Sequence, residues 1–433
     1  MRILYVISFP PFPIEVTGGA IRSRLLLDAL SQCGDVRVLY LNYRGPDHYL
    51  RISSSSSREE NYLSVSSISM PGTSGSKYRS YLEKASRAVG MFFGSGLATA
   101  GLRVSDEAER TIDELCGRNE VDLIVGRLCR PSAAAGLLAE WPVPLIIDAD
   151  DWEPSRTAAR LQSAPRYNLL LQAYLQRELR GNIYLGSKVL EKANHIWLAS
   201  EKDTAALNRI DVTTLPNVPI SDTGGEIQAL GPSAQGSKII FSVGDWGKHQ
   251  NSDGMNWYLR QVWPLIRQRI PQAELRIAGV APASLRRDWG AIQNVHLLGF
   301  VDDLRSEYEK AGVVAAPVTW GGGTKIKVLE ALAYGRVPAG AKHAFEGLAD
   351  PRRLENIAVI EQHALTLAEA TVQILINAPM RHSQEIAAIQ YYLDNYSVAA
   401  FNKYVEETVR SVMTGRAEFL SGDPLHEVVG VQS

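Results

Sequence analysis

The run from Trp320 to Gly335, WGGGTKIKVLEALAYG, constrains the chain most. It reads as the end of a strand, a glycine turn and a helix whose first turn is open to a ligand. Upstream, GVVAAPV from Gly312 to Val318 is a short apolar run of strand type. Gly321, Gly322 and Gly323 then allow backbone conformations closed to other residues, and Thr324 stands where a helix cap is expected. At helical spacing Gly323, Lys327, Glu330 and Tyr334 share one face. Ile326, Leu329 and Ala333, with Val328 and Leu332 beside them, make the buried one. The free N–H groups and positive dipole end of such a helix suit a phosphate. Lys327 adds a cation beside it, and Glu330, about one turn further on, can accept two hydrogen bonds from a ribose diol. The same spacing also fits an ordinary strand-to-helix turn with a solvated Lys and Glu.

At 433 residues the chain predicts two domains, each large enough to bury its own core. A formal charge of -2 gives no basic excess, so nucleic acid is not an expected partner and any anion site must be local. Cys33, Cys116 and Cys129 have neither disulfide-framework nor zinc spacing, which fits a reducing cytoplasm. Met1 to Pro13 holds one short apolar run before its prolines, too little for a signal peptide or a membrane helix.

Strand and helix patterns alternate along both halves. ILYVIS (Ile3 to Ser8), a loop ending in Gly18 and Gly19, and a helix from Ala20 open a Rossmann-like unit, with Arg22 and Arg24 in the helix's first turn. A Gly-Gly before a helix can approach a ligand or simply make a turn. The polar stretch from Asn42 to Glu60 reads as an exposed loop. Lys77 to Arg103 carries five basic residues and one acid around the uncharged run Ala88 to Leu102, which is too short and too glycine-rich to span a bilayer. It could rest on anionic lipid or pack within the domain. VDLIVGR (Val121 to Arg127) and PLIID (Pro144 to Asp148) are further strands, the second leading into Asp148, Asp150 and Asp151. Carboxylates at a strand's C-terminal end point into a ligand crevice, where Asp-x-Asp can bind a divalent cation or an Asp can cap the next helix. A helix over Tyr167 to Arg180 and the strand HIWLAS follow, with His195 structural, and Ser221 to Ser237 has linker composition. In the second half KIIFSV leads to the loop GDWGKHQN with Gly244 and Lys248. Later come the strands ELRIAG and VHLLGFV, the second ending in Gly299, Phe300 and Val301.

The signature run closely resembles the donor-binding motif of glycosyltransferase family 4, the group 1 glycosyltransferases, in its GGGT-K-I-K-x-L-E-A-L-A form. The resemblance is specific from Phe241 to Gly335 and loose before Pro216. It implies an α/β fold of GT-B architecture: two Rossmann-like domains facing across a cleft, with a C-terminal helix crossing back to the first. The expected boundaries are 1–220 for an acceptor-binding domain, 221–237 for a linker and 238–396 for a nucleotide-sugar-binding domain. Residues 397–413 are expected as the returning helix and 414–433 as a tail.

By the same resemblance Glu330 holds the ribose of a nucleoside diphosphate sugar, while Gly322, Gly323, Thr324 and Lys327 face its diphosphate. Gly18, Gly19, Gly244 and Lys248 belong to the donor side as well, and Phe300 borders the base. Arg22 and Asp148 are expected on the acceptor side, with Asp150, Asp151 and Lys327 as catalytic candidates. Many relatives carry a second Glu eight positions before the ribose Glu, and here that position is Gly322. AFEGL (Ala344 to Leu348) resembles a loop at the edge of the donor site.

The implied reaction is transfer of a hexosyl-type sugar, with retention, to a glycan or lipid-linked hydroxyl in cell-surface or secreted polysaccharide assembly. No cofactor or divalent metal is expected. The expected location is the cytoplasm, with peripheral contact at the inner membrane surface. A nucleotide-sugar epimerase of the same fold, using the Asp148 to Asp151 cluster, and a non-catalytic binding subunit remain as alternatives.

Overall fold

A computed structural model describes residues 1–9, 18–42, 62–66, 96–165, 167–221, 225–321 and 324–415. The serine-rich loop, the basic segment up to residue 95, Gly322, Gly323 and the tail beyond residue 415 lie outside them. The chain divides into one unit of Met1–Leu215 with Asn402–Ser433, and a second of Pro216–Phe401.

The first unit holds seven parallel strands in the order β3-β2-β1-β4-β5-β6-β7. They are β1 (Arg2–Ile7), β2 (Asp35–Asn42), β3 (Tyr62–Ser66), β4 (Leu123–Arg127), β5 (Leu145–Asp150), β6 (His195–Leu198) and β7 (Val212–Thr214). Parallel strands covered on both faces need unbroken apolar runs. Accordingly Ile3 to Ile7 and Leu123 to Arg127 are buried at every position. The chain leaves β1 in one direction for β2 and β3, then crosses to β4 on the other side, so strand order reverses between β1 and β4. After β5 come the helices Glu153–Ser163 and Leu169–Lys192, the second capped by Asn168, whose side chain accepts from the Leu171 amide. His195 is buried at the start of β6 with Nε2 2.8 Å from Thr213 Oγ1, and burial pulls its pKa down to about 4.

Six parallel strands make the second sheet, in the order β10-β9-β8-β11-β12-β13, which reverses between β8 and β11. They are β8 (Ile239–Val243), β9 (Glu274–Ala278), β10 (Val295–Gly299), β11 (Val313–Ala316), β12 (Pro338–Gly340) and β13 (Val359–Ile360). Residues 225–237, expected from their composition as a linker, are tied down in the second unit. Ile227 and Leu230 are buried in the second unit's core, and Arg336 Nη1 donates to Gly231 O at 3.0 Å. Arg381, fully buried, donates to Ser233 Oγ at 2.8 Å and to the carbonyls of Ala234 and Gln235. Two apolar side chains and two buried guanidiniums hold the strap down. The last helix, Val398–Thr414, has its residues from Asn402 on in the first unit, where Trp197 Nε1 donates to Thr408 Oγ1 at 3.1 Å.

Candidate functional site

In open parallel sheets a ligand crevice forms beyond the strands' C-terminal ends, where strand order reverses. The second unit gathers most of its candidates there. The signature helix spans Ile326–Ala333, and its N-cap is Lys325, whose side chain makes no cap hydrogen bond. Thr324 therefore stands one position before the cap and not at it. Val328, Leu329, Leu332 and Ala333 are buried as their periodicity requires, whereas Ile326 is exposed because it stands on the first turn, clear of the core.

Lys327 is the cation of this site. Its Nζ lies 3.3 Å from Asn251 Oδ1 and 5.1 Å from the Trp246 ring centroid, a cation-π arrangement. A Cβ at Gly244 would come within 3.2 Å of the same nitrogen, so glycine after β8 lets the ammonium lie against the backbone. Burial lowers the Lys327 pKa to about 8; Glu330 works against that shift and Lys325 adds to it. Lys248 is placed otherwise. Its side chain is largely exposed, with Nζ 3.9 Å from Asp245 Oδ2, at the N-cap of the helix His249–Trp257.

Glu330 is half-buried and accepts from the Tyr308 hydroxyl at 3.1 Å through Oε2. Tyr308 is itself stacked on Tyr334 with ring centroids 4.3 Å apart, and the edge-to-face ring of Phe241 packs on it. A carboxylate three residues beyond Lys327 is thus fixed by an aromatic stack. Gly321 takes φ 113, a conformation that favours glycine, and a Cβ there would press on the end of the Gln250 side chain. The Gly321 carbonyl lies 2.6 Å from His343 Nε2, whose Nδ1 is 3.3 Å from Glu346 Oε2. That His, at the edge of AFEGL, fastens one side of the glycine turn. Nothing in the sequence marks this His, which stands between Lys342 and Ala344.

Beside Trp246 a cavity of about 110 Å³ opens at the ends of β8, β9 and β10. Its walls include Trp246, Ile277, Val280, Leu297 and Phe300, with Arg286 the one charged group. Phe300 is 76% exposed, so its ring is available to an incoming planar group. One backbone and one side-chain hydrogen bond knit the three strand ends together: Gly279 N donates to Gly299 O at 2.6 Å, and Trp246 Nε1 to Ala278 O at 2.8 Å. Cavity, Lys327 and Glu330 all belong to this one unit, and Trp246 borders both the cavity and the cation.

The first unit's candidates meet differently. Asp148, at the end of β5, is fully buried and accepts from Arg22 Nη2 at 2.7 Å and from Arg127 Nη1 at 2.9 Å. Arg22 also donates to Leu215 O at 2.9 Å. Burial alone would lower the Arg22 pKa, but the charges of Asp148 and Asp150 and the hydrogen bond outweigh it and raise it. Arg22 and Asp148, expected on the acceptor side, are thus buried and bound to each other. A carboxylate shared by two guanidiniums is not open to a divalent cation.

Asp150 is the more accessible of the pair, with Oδ2 3.0 Å from Arg127 Nη2 and the side chain 22% exposed. Its backbone takes φ 62, the register with β6 shifts there, and Leu128, on the neighbouring strand end, takes φ 66. Non-glycine residues pay for that conformation, and such strain collects at functional sites. Asp151 follows, half-buried, before the helix that starts at Glu153. Arg127 was missed as a site residue, although an Arg closing an apolar strand beside one closing in Asp is a readable sign of a buried pair. Gly18 and Gly19 open the helix Gly18–Cys33, and a Cβ at Gly19 would press on the Phe9 ring at 3.3 Å.

Residues 237–377 match the family model for glycosyl transferases group 1. No curated protein matches. Among solved structures, the sucrose-phosphate synthase of Thermosynechococcus elongatus is 15% identical with a TM-score of 0.63, covering 96% of this chain and 100% of its own. HepE of Anabaena, solved with UDP, is 14% identical with a TM-score of 0.59, over 95% of this chain and 100% of its own. TarM of S. aureus, in a complex that includes UDP, is 10% identical with a TM-score of 0.58, over 95% and 99%. At such identities the likeness is one of fold, and the fold is GT-B.

Proposed function

We propose that the chain is a glycosyltransferase that moves a hexosyl-type sugar from a nucleoside diphosphate sugar to a hydroxyl acceptor, with retention. The observation that carries this reading is the placement of Lys327 and Glu330 on one helix at the reversal of strand order, with Lys327 against Gly244 and beside the Trp246 cavity. The base enters the cavity against Phe300, the ribose is held by Glu330, and the diphosphate meets Lys327 and the N-terminal end of the signature helix. Catalysis then consists of stabilising the departing diphosphate and orienting the acceptor, so no divalent metal or further cofactor is called on. On the acceptor side Asp150 and Asp151 are the candidates, with Asp150 held by Arg127, which Asp148 pairs together with Arg22. Gly18, Gly19, Gly322, Gly323 and Thr324 complete the donor side. A glycan or lipid-linked acceptor in envelope or secreted polysaccharide assembly, on the cytoplasmic side, fits a donor of this kind.

The test is calorimetry and thermal unfolding of the protein with UDP, GDP, ADP, dTDP and their sugars, repeated on Glu330→Ala. One nucleotide raises the unfolding temperature of the wild type, and the variant binds it roughly tenfold or more weakly, from the loss of hydrogen bonds to a charged group. A folded protein that binds none of them overturns the reading.

A further inference from the structure

The helices Glu153–Ser163 and Leu169–Lys192 form a hairpin in the first unit, and its tip is unusually apolar for a surface. Tyr167, Leu169 and Leu170 are 88%, 75% and 86% exposed, and Tyr174 is exposed one turn further along. Single exposed apolar residues are ordinary, but four large ones within eight positions make a patch.

Charge gives that patch its partner. Between Glu153 and Glu178 the sequence has no acidic residue but has Arg156, Arg160, Arg166 and Arg177. Arg156 and Arg180 are exposed, and Arg160 reaches Glu178 at 3.3 Å. The chain as a whole is slightly acidic, so this is a local basic collar. On the longer helix Arg177 and Arg180 stand roughly 11 to 15 Å along the axis from the leucine pair, at 1.5 Å per residue. If the apolar end enters the acyl boundary by about 5 to 10 Å, the collar falls in the layer of lipid phosphates.

We propose that this tip docks on an anionic lipid surface, with Tyr167, Leu169, Leu170 and Tyr174 inserted and the arginines on the headgroups. An apolar patch alone would equally suit a second copy of the chain, but the arginine collar would then face its own like charge. Among the described residues no helix is long and apolar enough to cross a membrane, so the contact is peripheral. The inference does not depend on sugar transfer, and its test uses neither donor nor acceptor.

Sedimentation with vesicles of phosphatidylcholine, alone and mixed with phosphatidylglycerol, measures it on the full chain. The wild type sediments with the anionic vesicles, weakly with the neutral ones, and is released as salt rises. Leu169→Asp/Leu170→Asp lowers the affinity at least tenfold, and Arg156→Gln/Arg180→Gln lowers it severalfold while abolishing most of the salt dependence. Both variants change exposed positions, and an unaltered unfolding temperature checks that they fold. A wild type that stays in the supernatant, or a double Asp variant that binds as well, overturns the proposal. So does a lipid-free dimer that the Asp variant converts to monomer, which would assign the face to a second copy.

Discussion

The two sheets reverse strand order at equivalent places, and the charges gathered there are handled in opposite ways. In the first unit Asp148 lies fully buried between Arg22 and Arg127, and Asp150 extends the chain of ion pairs toward the surface. In the second, Lys327 leans on an amide oxygen and an indole face, and its pKa falls to about 8. One crevice has its charge balanced from within. The other carries a cation whose balance an anion would supply. A charge neutralised inside the fold serves stability, and a charge left under-neutralised serves binding.

The comparison breaks most visibly at Asp148. Asp148→Ala leaves two buried guanidiniums without their shared carboxylate, and a loss of about 3 to 5 kcal/mol is expected. Urea unfolding measures it, and a variant as stable as wild type would show that the pair is not what holds β4 and β5 to the helix Gly18–Cys33.

Lys327 is expected to respond in the reverse sense. Lys327→Met removes a charge that burial penalises, so the free protein gains about 1 to 3 kcal/mol near neutrality, while nucleotide binding drops by roughly two orders of magnitude. The pH dependence follows from the depressed pKa. Below about 8 both folded and unfolded chains carry the proton, and the penalty is present in full. As pH rises above that value the folded chain gives up the proton that the unfolded one keeps, so the penalty fades and the variant's advantage closes toward pH 10. Thermal unfolding of both proteins across that range would sink this account if the gap stayed constant.

A smaller effect sharpens the picture of Glu330. Tyr308→Phe removes the hydroxyl that Glu330 accepts from but leaves the aromatic stack, and about 0.5 to 1.5 kcal/mol of nucleotide affinity is expected to go with it. An unchanged affinity would mean that packing alone positions the carboxylate.

Much of the second unit was legible in the sequence because its chemistry is local. Lys327, Glu330 and the buried face of their helix lie within one run whose period shows which side each occupies. The first unit's crevice draws on Arg22, Arg127 and Asp148, brought together by three separate elements, and periodicity says nothing of such partners. For the same reason nothing in the sequence shows that Arg22 and Asp148 are buried against each other. The anchoring of residues 225–237 is not legible in their Gly and Ser content, since Ile227 and Leu230 are too few to register as a pattern and the buried Arg381 lies far along the chain. His343 was hidden likewise, its contact to Gly321 being one hydrogen bond across 22 positions.

The uneasy lysine also bears on how long the molecule survives in a cell. A ligand that completes the charge balance stabilises the folded chain by mass action, and chains that open less often are degraded less often. On the proposed reading, the amount of this enzyme would therefore rise and fall with the supply of its own nucleotide-sugar, without any regulator to sense it.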